Sequence, residues 1–178
     1  VKIKPDFISA LKDLGFALQL TRNLDEAIDY FKKVLKLNPA QHMTHYDLAN
    51  ALASKGDLKG AITHYSTAIE IKPDYMEALY NLGNVLGQQG QLQKAQESFE
   101  KAIRLNDKLP LPYYGLGVVL QRSKQNSKAI EAFKQALSLN PKLGQAHYNL
   151  GEIYADMGQE QEASFHLSSA EKLTGNSQ

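Results

Sequence analysis

The sequence repeats itself every 34 residues, and this period constrains the fold more than any other feature. Four of the six prolines, Pro5, Pro39, Pro73 and Pro141, are spaced by 34, 34 and 68 residues. Three complete columns recur at the same interval: Ala27, Ala61, Ala95, Ala129 and Ala163; Leu14, Leu48, Leu82, Leu116 and Leu150; and the large residues Phe31, Tyr65, Phe99, Phe133 and Leu167. A fixed period of this length without insertions predicts a solenoid, in which small structural units stack on one another.

Each unit has the pattern of two helices. In the second unit, apolar residues three and four positions apart around Leu48 predict a first helix. Gly56, which can take a left-handed conformation, and Asp57, which can cap a helix, predict a break after it. A second helix follows over residues 58–71 and must end before Pro73, because a residue that precedes proline is driven out of the helical region.

Two further columns describe how the helices of a unit meet. Gly90 and Gly158 occupy the position of Gly56, whereas Arg22 and Lys124 stand there in the first and fourth units, where we expect a different turn. The residue after each leucine of the leucine column is small: Gly15, Ala49, Gly83, Gly117 and Gly151. Since glycine inside a helix costs about 1 kcal/mol relative to alanine, we expect the small column to bring the two helices into backbone contact, with the large column beside it.

The leucine, small-residue, alanine, aromatic and proline columns together resemble the tetratricopeptide repeat over residues 8–177. The resemblance implies an all-α fold, a right-handed superhelical solenoid of stacked antiparallel helix pairs. We take residues 1–178 as a single domain with five 34-residue repeats, 8–41, 42–75, 76–109, 110–143 and 144–177. The pattern departs from the family where Asp107 and Gly175 replace the terminal proline, and where His45 and His147 occupy a slot that favours a bulky apolar residue.

The two ends of the chain differ. Residues 1–7 include Ile3–Phe7, which nearly duplicates Ile71–Tyr75, the close of a repeat. We therefore expect residues 1–7 to be the end of a preceding repeat and the chain to come from a longer array. At the other end, the polar Ser164 and Glu171 stand where other repeats carry apolar residues, which predicts that the array ends with the fifth repeat.

The resemblance also implies that the first helices line a concave groove that holds peptide segments of partner proteins. Tyrosine offers flat amphipathic contacts with few rotatable bonds, and asparagine offers both a donor and an acceptor to a peptide backbone. The first-helix residues not needed for packing predict the following binding surface: Lys12, Asp13, Phe16, Tyr46, Asp47, Asn50, Tyr80, Asn81, Asn84, Tyr114, Val118, Tyr148, Asn149 and Glu152.

The charges on this surface favour a basic or neutral peptide over an acidic one. Five acidic residues face two basic ones: Asp13, Asp47, Glu77, Glu152 and Asp156 against Lys12 and Arg122. The preference is weak, because single exposed charges contribute little.

Composition excludes several other functions. The chain has no cysteine, so disulfides and thiolate metal sites are absent. Its net charge of +1, from 20 Lys and Arg against 19 Asp and Glu, lacks the basic excess of a nucleic-acid binder. No apolar run approaches the roughly 20 residues that span a bilayer, and we expect a cytoplasmic protein. His42 and His45 lie three positions apart, but His45 belongs to a packing column, so we predict no metal site, no cofactor and no catalytic residue.

The sequence thus predicts a non-catalytic scaffold that binds a peptide segment of another protein. Two alternatives stay open. The chain could be the substrate-presenting arm of a larger enzyme, such as a glycosyltransferase, or a self-association module that pairs through its N-terminal face near Phe7 and Ile8.

Overall fold

A computed structural model describes residues 5–175, and in that range the chain forms ten α-helices. The helices follow the five repeats, with a first and a second helix in each. The first helices are α1 (Pro5–Leu20), α3 (His42–Lys55), α5 (Met76–Gln88), α7 (Pro110–Arg122) and α9 (Gly144–Asp156). The second helices are α2 (Leu24–Leu37), α4 (Leu58–Ile71), α6 (Leu92–Leu105), α8 (Asn126–Leu139) and α10 (Glu160–Gly175). The all-α prediction is confirmed, as are the helix bounds and the break predicted for the second repeat.

The turn inside each hairpin places one residue in the left-handed conformation. Gly56, Gly90 and Gly158 have φ values of 90°, 77° and 72°. Arg22 and Lys124 have φ values of 61° and 59°, so the expectation of a different turn in the first and fourth repeats is wrong. The geometry of the turn is kept, and a residue with a side chain adopts the conformation that glycine takes more easily.

The second helices α2, α4, α6 and α8 end in an extended residue, with or without proline after it. Lys72, directly before Pro73, has φ −132° and ψ 91°. Asn106, which precedes Asp107 instead of a proline, has nearly the same conformation, with φ −153° and ψ 106°. The side-chain oxygen of Asn106 accepts a hydrogen bond from the backbone N–H of Lys108 at 3.0 Å. Asn38 and Asn140, which do precede prolines, make the same side-chain turn, so it stabilises the helix end with or without proline.

The chain divides into two compact units, residues 1–89 and 90–178, and we describe each separately. The first unit contains α1 to α5 and the second contains α6 to α10, so the boundary falls inside the third repeat. Within each unit, every second helix packs against its own first helix or against the first helix of the next repeat. The alanine and aromatic columns lie at these contacts, where Ala27, Phe31, Ala129 and Phe133 are fully buried.

The small column meets side chains of the large column first, which corrects our expectation of backbone contact; only at Gly151 does an opposite backbone atom also lie close, with N of Leu167 3.2 Å from an added Cβ. A Cβ added to Gly15 would lie 2.8 Å from Cε1 of Phe31, and one added to Gly117 would lie 2.6 Å from Cδ1 of Phe133. Gly151 is covered in the same way by Leu167, whose Cγ would lie 2.7 Å away. The glycines therefore make room for a large side chain from the second helix of the same hairpin.

The first helix of the array exposes a face that the other first helices bury. Ala51, Val85, Val119 and Ile153 are buried at the repeat position of Ala17, and Leu48, Leu82 and Leu150 are buried at the position of Leu14. In α1, by contrast, Phe7, Ala10, Leu14 and Ala17 are all exposed. Their spacing of three and four residues places them on one side of the helix. Within residues 5–175, no second helix precedes α1 to cover this apolar stripe. We interpreted residues 1–7 as the close of a preceding repeat; helix α1 begins at Pro5, so residues 5–7 extend the first helix, and residues 1–4 lie outside the described residues.

Candidate functional site

In the first unit, the predicted tyrosine and asparagine columns form one hydrogen-bonded group. Nδ2 of Asn81 donates to Oη of Tyr46 and to Oδ1 of Asn50, both at 3.1 Å. Oη of Tyr65, from the second helix α4, also donates to Oδ1 of Asn50. The group connects the first helices of the second and third repeats through half-buried side chains. It fixes the orientation of these side chains before any ligand arrives, which lowers the entropy lost on binding.

Aromatic rings enclose Tyr46 on two sides. Its ring centroid lies 5.9 Å from that of Tyr65 and 5.0 Å from that of Tyr75. Burial raises the pKa of Tyr75 to about 12 and also raises the pKa of Tyr65. Both hydroxyls therefore stay protonated and able to donate hydrogen bonds at physiological pH.

Asp47 is the most perturbed carboxylate of this surface. Loss of hydration on burial raises the pKa of its carboxyl group from 3.8 to about 6, and the positive charge of Lys12 opposes part of that effect. A nearby cation stabilises the ionised form of such an incompletely hydrated carboxylate. This position is suited to a basic group of a ligand.

Two depressions border these residues in the first unit. One, of about 330 Å³, is lined by Asn50, Asn81 and Asn84 together with Tyr65 and other residues. The other, of about 500 Å³, has Lys12 in its lining, beside the start of α3. We expected Asn50 and Asn81 to hold a peptide backbone, but each already bonds to protein side chains, so part of their bonding capacity is used internally.

In the second unit, three predicted residues line a larger depression of about 940 Å³ between α7, α9 and α10. One side of the depression consists of residues predicted to bind a peptide, Tyr114, Tyr148 and Asn149. The other side is apolar and consists of Leu167 and Leu173. Nδ2 of Asn149 donates to Oε1 of Gln121 at 2.9 Å, which fixes the amide. Oη of Tyr114 lies 3.5 Å from Oδ1 of the same asparagine. The site combines an apolar wall with a few polar groups, which is the usual composition of a ligand pocket.

The remaining predicted residues lie outside these groups. Phe16 is 51% exposed on α1, and Asp13 is exposed beside it. Val118 is half-buried against the core of the second unit, and Tyr80 is half-buried in the first unit. Glu152 is exposed and accepts a hydrogen bond at 2.8 Å from Oη of Tyr148, which is itself 50% exposed.

Sequence reasoning missed the second-helix residues that complete the site. Tyr65 was recognised only as a packing residue, although its hydroxyl bonds to the groove. His64 and His166 were not singled out at all, although each faces a histidine of the first helix at hydrogen-bond distance. Reading the second-helix column 30, 64, 98, 132 and 166 beside the first-helix histidines would have found them.

The structure offers no larger metal cluster and no membrane helix in the part of the chain that it describes. Among residues 5–175, no three or more His, Asp or Glu side chains gather in a way that could hold a metal ion. None of the described helices is both long and apolar enough to cross a bilayer.

Solved structures with the same fold are numerous. MamA is 28% identical, with a TM-score of 0.86 over 91% of this chain and 95% of that chain. Residues 41 to the end of MamA from Desulfovibrio magneticus RS-1 are 23% identical, with a TM-score of 0.91 over 98% of this chain and 99% of that one. YrrB, described as a TPR protein with an unusual peptide-binding site, is 22% identical, with a TM-score of 0.79 over 94% of this chain and 86% of its own. No curated protein matches the sequence.

Four sequence models of one repeat family match successive parts of the chain. Two described as "Tetratricopeptide repeat" match residues 8–41 and 75–142, and a third with that description matches 120–177. A model described as "TPR repeat" matches residues 49–90. Together with ten helices in repeating pairs and the likeness to known TPR structures, these matches show that the chain belongs to the tetratricopeptide repeat family.

Proposed function

We propose that this protein is a non-catalytic scaffold that binds a peptide segment of a partner protein on the first-helix surface. The family and the fold support a protein-interaction scaffold. The observation that carries the finer proposal is the depression of about 940 Å³ in the second unit. It brings two tyrosines and an asparagine from two successive first helices together with apolar side chains of α10. An apolar peptide side chain fits there, while the polar rim orients its backbone.

Asp47 supports a basic group in the ligand. Its carboxyl group titrates near pH 6 because burial removes water from it. A cationic side chain beside it favours the ionised form, so binding of a basic peptide releases a proton below pH 6 and weakens as the pH falls. A neutral peptide lacks this dependence, which makes the pH profile a test of the ligand's charge.

The test uses a random peptide library selected against the wild-type protein, followed by affinity measurements on the selected peptides. Tyr148→Ala removes a half-exposed side chain from the depression, and we expect at least a tenfold loss of affinity for peptides that bind the second unit. Tyr30→Ala is the matched control, because Tyr30 is a partly exposed tyrosine on the second helix α2. If Tyr148→Ala leaves every selected peptide bound as tightly as before, or both variants lose affinity equally, the proposed surface is wrong.

A second candidate, self-association, is favoured by the apolar stripe of α1. In later repeats, the residues at the same repeat positions are covered by the second helix of the preceding repeat, as α2 covers α3 and α8 covers α9. We infer that the same stripe of a second copy covers it, so that two copies pair through their N-terminal faces. A contact between two identical patches closes on itself and gives a dimer.

Sedimentation velocity over a range of protein concentrations tests this candidate. We expect the average mass to rise towards that of a dimer, and Leu14→Glu to keep the protein monomeric. Leu20→Glu is the control, because Leu20 is 71% exposed and lies about a quarter of a turn away from the stripe by helical spacing. A monomer at all concentrations, or growth beyond the dimer, would contradict pairing through the stripe.

A further inference from the structure

Two pairs of histidines face each other inside hairpins, one pair in each unit. Nδ1 of His45 lies 2.9 Å from Nδ1 of His64, and Nδ1 of His147 lies 2.9 Å from Nδ1 of His166. The ring centroids are 5.2 and 5.1 Å apart. In each pair the first histidine belongs to the first helix of a hairpin and the second belongs to its second helix.

The pairs recur as complete units. His147 follows His45 by 102 residues, and His166 follows His64 by the same 102 residues, which is three repeats of 34. The other three repeats carry no histidine at either position, with Leu11, Leu79 and Tyr113 in the first column and Tyr30, Ser98 and Ala132 in the second. A repeat thus has both histidines or neither. Packing alone does not require this, because tyrosine, leucine, serine and alanine satisfy the same positions elsewhere.

A backbone carbonyl fixes the tautomer of the first histidine in each pair. Nε2 of His45 lies 3.0 Å from the carbonyl oxygen of Pro39, and Nε2 of His147 lies 3.2 Å from that of Pro141. A carbonyl oxygen only accepts, so Nε2 carries the hydrogen in both. In the neutral imidazole, Nδ1 then holds a lone pair that points at the partner ring. Histidines that bind metals commonly donate their other N–H to a carbonyl in this way.

The partner histidine can also offer a lone pair at Nδ1. In the hydrogen-bonded pair, this histidine donates its Nδ1 hydrogen. Moving that hydrogen to its own Nε2 frees a second Nδ1 lone pair without any net loss of a proton.

We propose that each histidine pair binds one late first-row divalent cation, with Zn²⁺ and Cu²⁺ the best fits, through its two Nδ1 atoms. Imidazole nitrogen suits these ions. Tetrahedral coordination with Zn–N bonds of about 2.0–2.1 Å places the two nitrogens about 3.3 Å apart, so the rings need to separate by only a few tenths of an ångström. The described residues supply no third ligand, and water completes the coordination. A bound ion links the first and second helices of the hairpin.

Calorimetric titration of the untagged protein with Zn²⁺ and, separately, with Cu²⁺ tests the proposal. We expect two equivalents to bind to the wild type, one to His64→Gln or His166→Gln, and none to the double variant. His42→Gln is the matched control, because His42 is the only histidine of the chain outside the pairs, and it should keep both equivalents. Binding should release protons and weaken in acid, because a protonated imidazole cannot bind the metal.

A second measurement on the wild type keeps the test independent of how the variants fold. Long-range ¹H–¹⁵N spectra should show the Nδ1 resonances of four histidines shifting with added Zn²⁺, while His42 stays unchanged. Three results would overturn the proposal: no binding at millimolar metal, unchanged stoichiometry in the double variant, or loss of an equivalent in His42→Gln. The pairs would then be hydrogen-bonded packing contacts only.

Discussion

Each hairpin turn depends on one residue in the left-handed conformation. Gly56, Gly90 and Gly158 adopt it easily, because glycine has no Cβ to clash with the backbone. Arg22 and Lys124 adopt it with φ values of 61° and 59°, at a conformational cost of about 1 kcal/mol for a residue with a side chain. The surrounding hairpin is therefore stable enough to impose this conformation on two long side chains.

Replacing one of these side chains by glycine should stabilise the protein. We expect Lys124→Gly to raise the free energy of unfolding by about 0.5–1 kcal/mol, since relief of the turn outweighs the greater freedom of glycine in the unfolded chain. Lys128→Gly, four residues later inside α8, provides the opposite case and should lower it by about 1 kcal/mol. Urea denaturation of both variants measures the difference. Equal destabilisation by both would contradict the assigned turn conformation.

Asp47 makes the free energy of unfolding fall as the pH rises, which is the opposite of the usual effect of a carboxylate. The pKa of its carboxyl group is about 6 in the folded state, well above about 3.9 in an unfolded chain. The folded state therefore carries the cost of a poorly hydrated carboxylate at neutral pH. This cost decreases as the pH falls through 6 and disappears below about 4, where both states are protonated.

We accordingly expect Asp47→Asn to stabilise the protein above pH 6 by about 1 kcal/mol, a value reduced for the partial exposure of the group. The gain should vanish near pH 4. Asp13→Asn changes an exposed carboxylate at the same repeat position and should alter stability by less than about 0.5 kcal/mol. Thermal unfolding from pH 4 to 8 measures all three proteins. A gain that persists at pH 4 would assign the effect of Asp47→Asn to packing instead of charge.

At the scale of the helix, a given repeat position is buried where the second helix of the preceding repeat packs against it and exposed where none does. Leu48 is fully buried because α2 packs on α3, whereas Leu14 is 43% exposed. We expect Leu48→Ala to lower the free energy of unfolding by about 2–5 kcal/mol. Leu14→Ala should lower it by less than about 1 kcal/mol. The comparison is made by denaturation at low protein concentration, so that self-association does not cover Leu14. Similar losses would mean that the α1 stripe is buried in solution.

The helices were predictable because their causes are local and repeated. The signals used act within a few positions: the three- and four-residue spacing of apolar residues, Gly56, Asp57 and the residue before Pro73. Because each signal recurs every 34 residues, an exception in one repeat does not hide the pattern. The turn at Lys124 was not predictable from propensity alone, because the packed hairpin overrides the preference of that residue. The exposed face of α1 likewise depends on which element packs against it and not on its own composition.

The sequence predicted which repeat positions belong to the site, but it did not predict which side chains from different positions bond to one another. Tyr46, Asn50 and Asn81 were identified as surface residues, but their mutual hydrogen bonds depend on distances between neighbouring repeats. The contact of His45 with His64 joins two columns on different helices, and no single column contains it. Placing the first-helix and second-helix columns side by side would show this pairing, because both members change together.

At the scale of the whole molecule, each compact unit has its own core. Leu48 belongs to the first unit and Leu150 to the second, and both are fully buried at the same repeat position. In a repeat array, contacts are made mainly between neighbours, so stability is close to a sum of repeat and interface terms. A cavity in one repeat should therefore weaken nearby hairpins more than distant ones.

Hydrogen exchange of the full chain can test how far a local defect extends. Leu48→Ala should reduce amide protection in α2 to α5 by more than in α7 to α10, and Leu150→Ala should show the reverse, because each substitution opens a cavity in its own core. The two variants are matched controls for each other, since they remove the same side chain at the same degree of burial. Mass spectrometry of exchanged peptides under native conditions resolves the individual hairpins. Equal loss of protection in both units, from either substitution, would mean that the ten helices unfold as one cooperative structure.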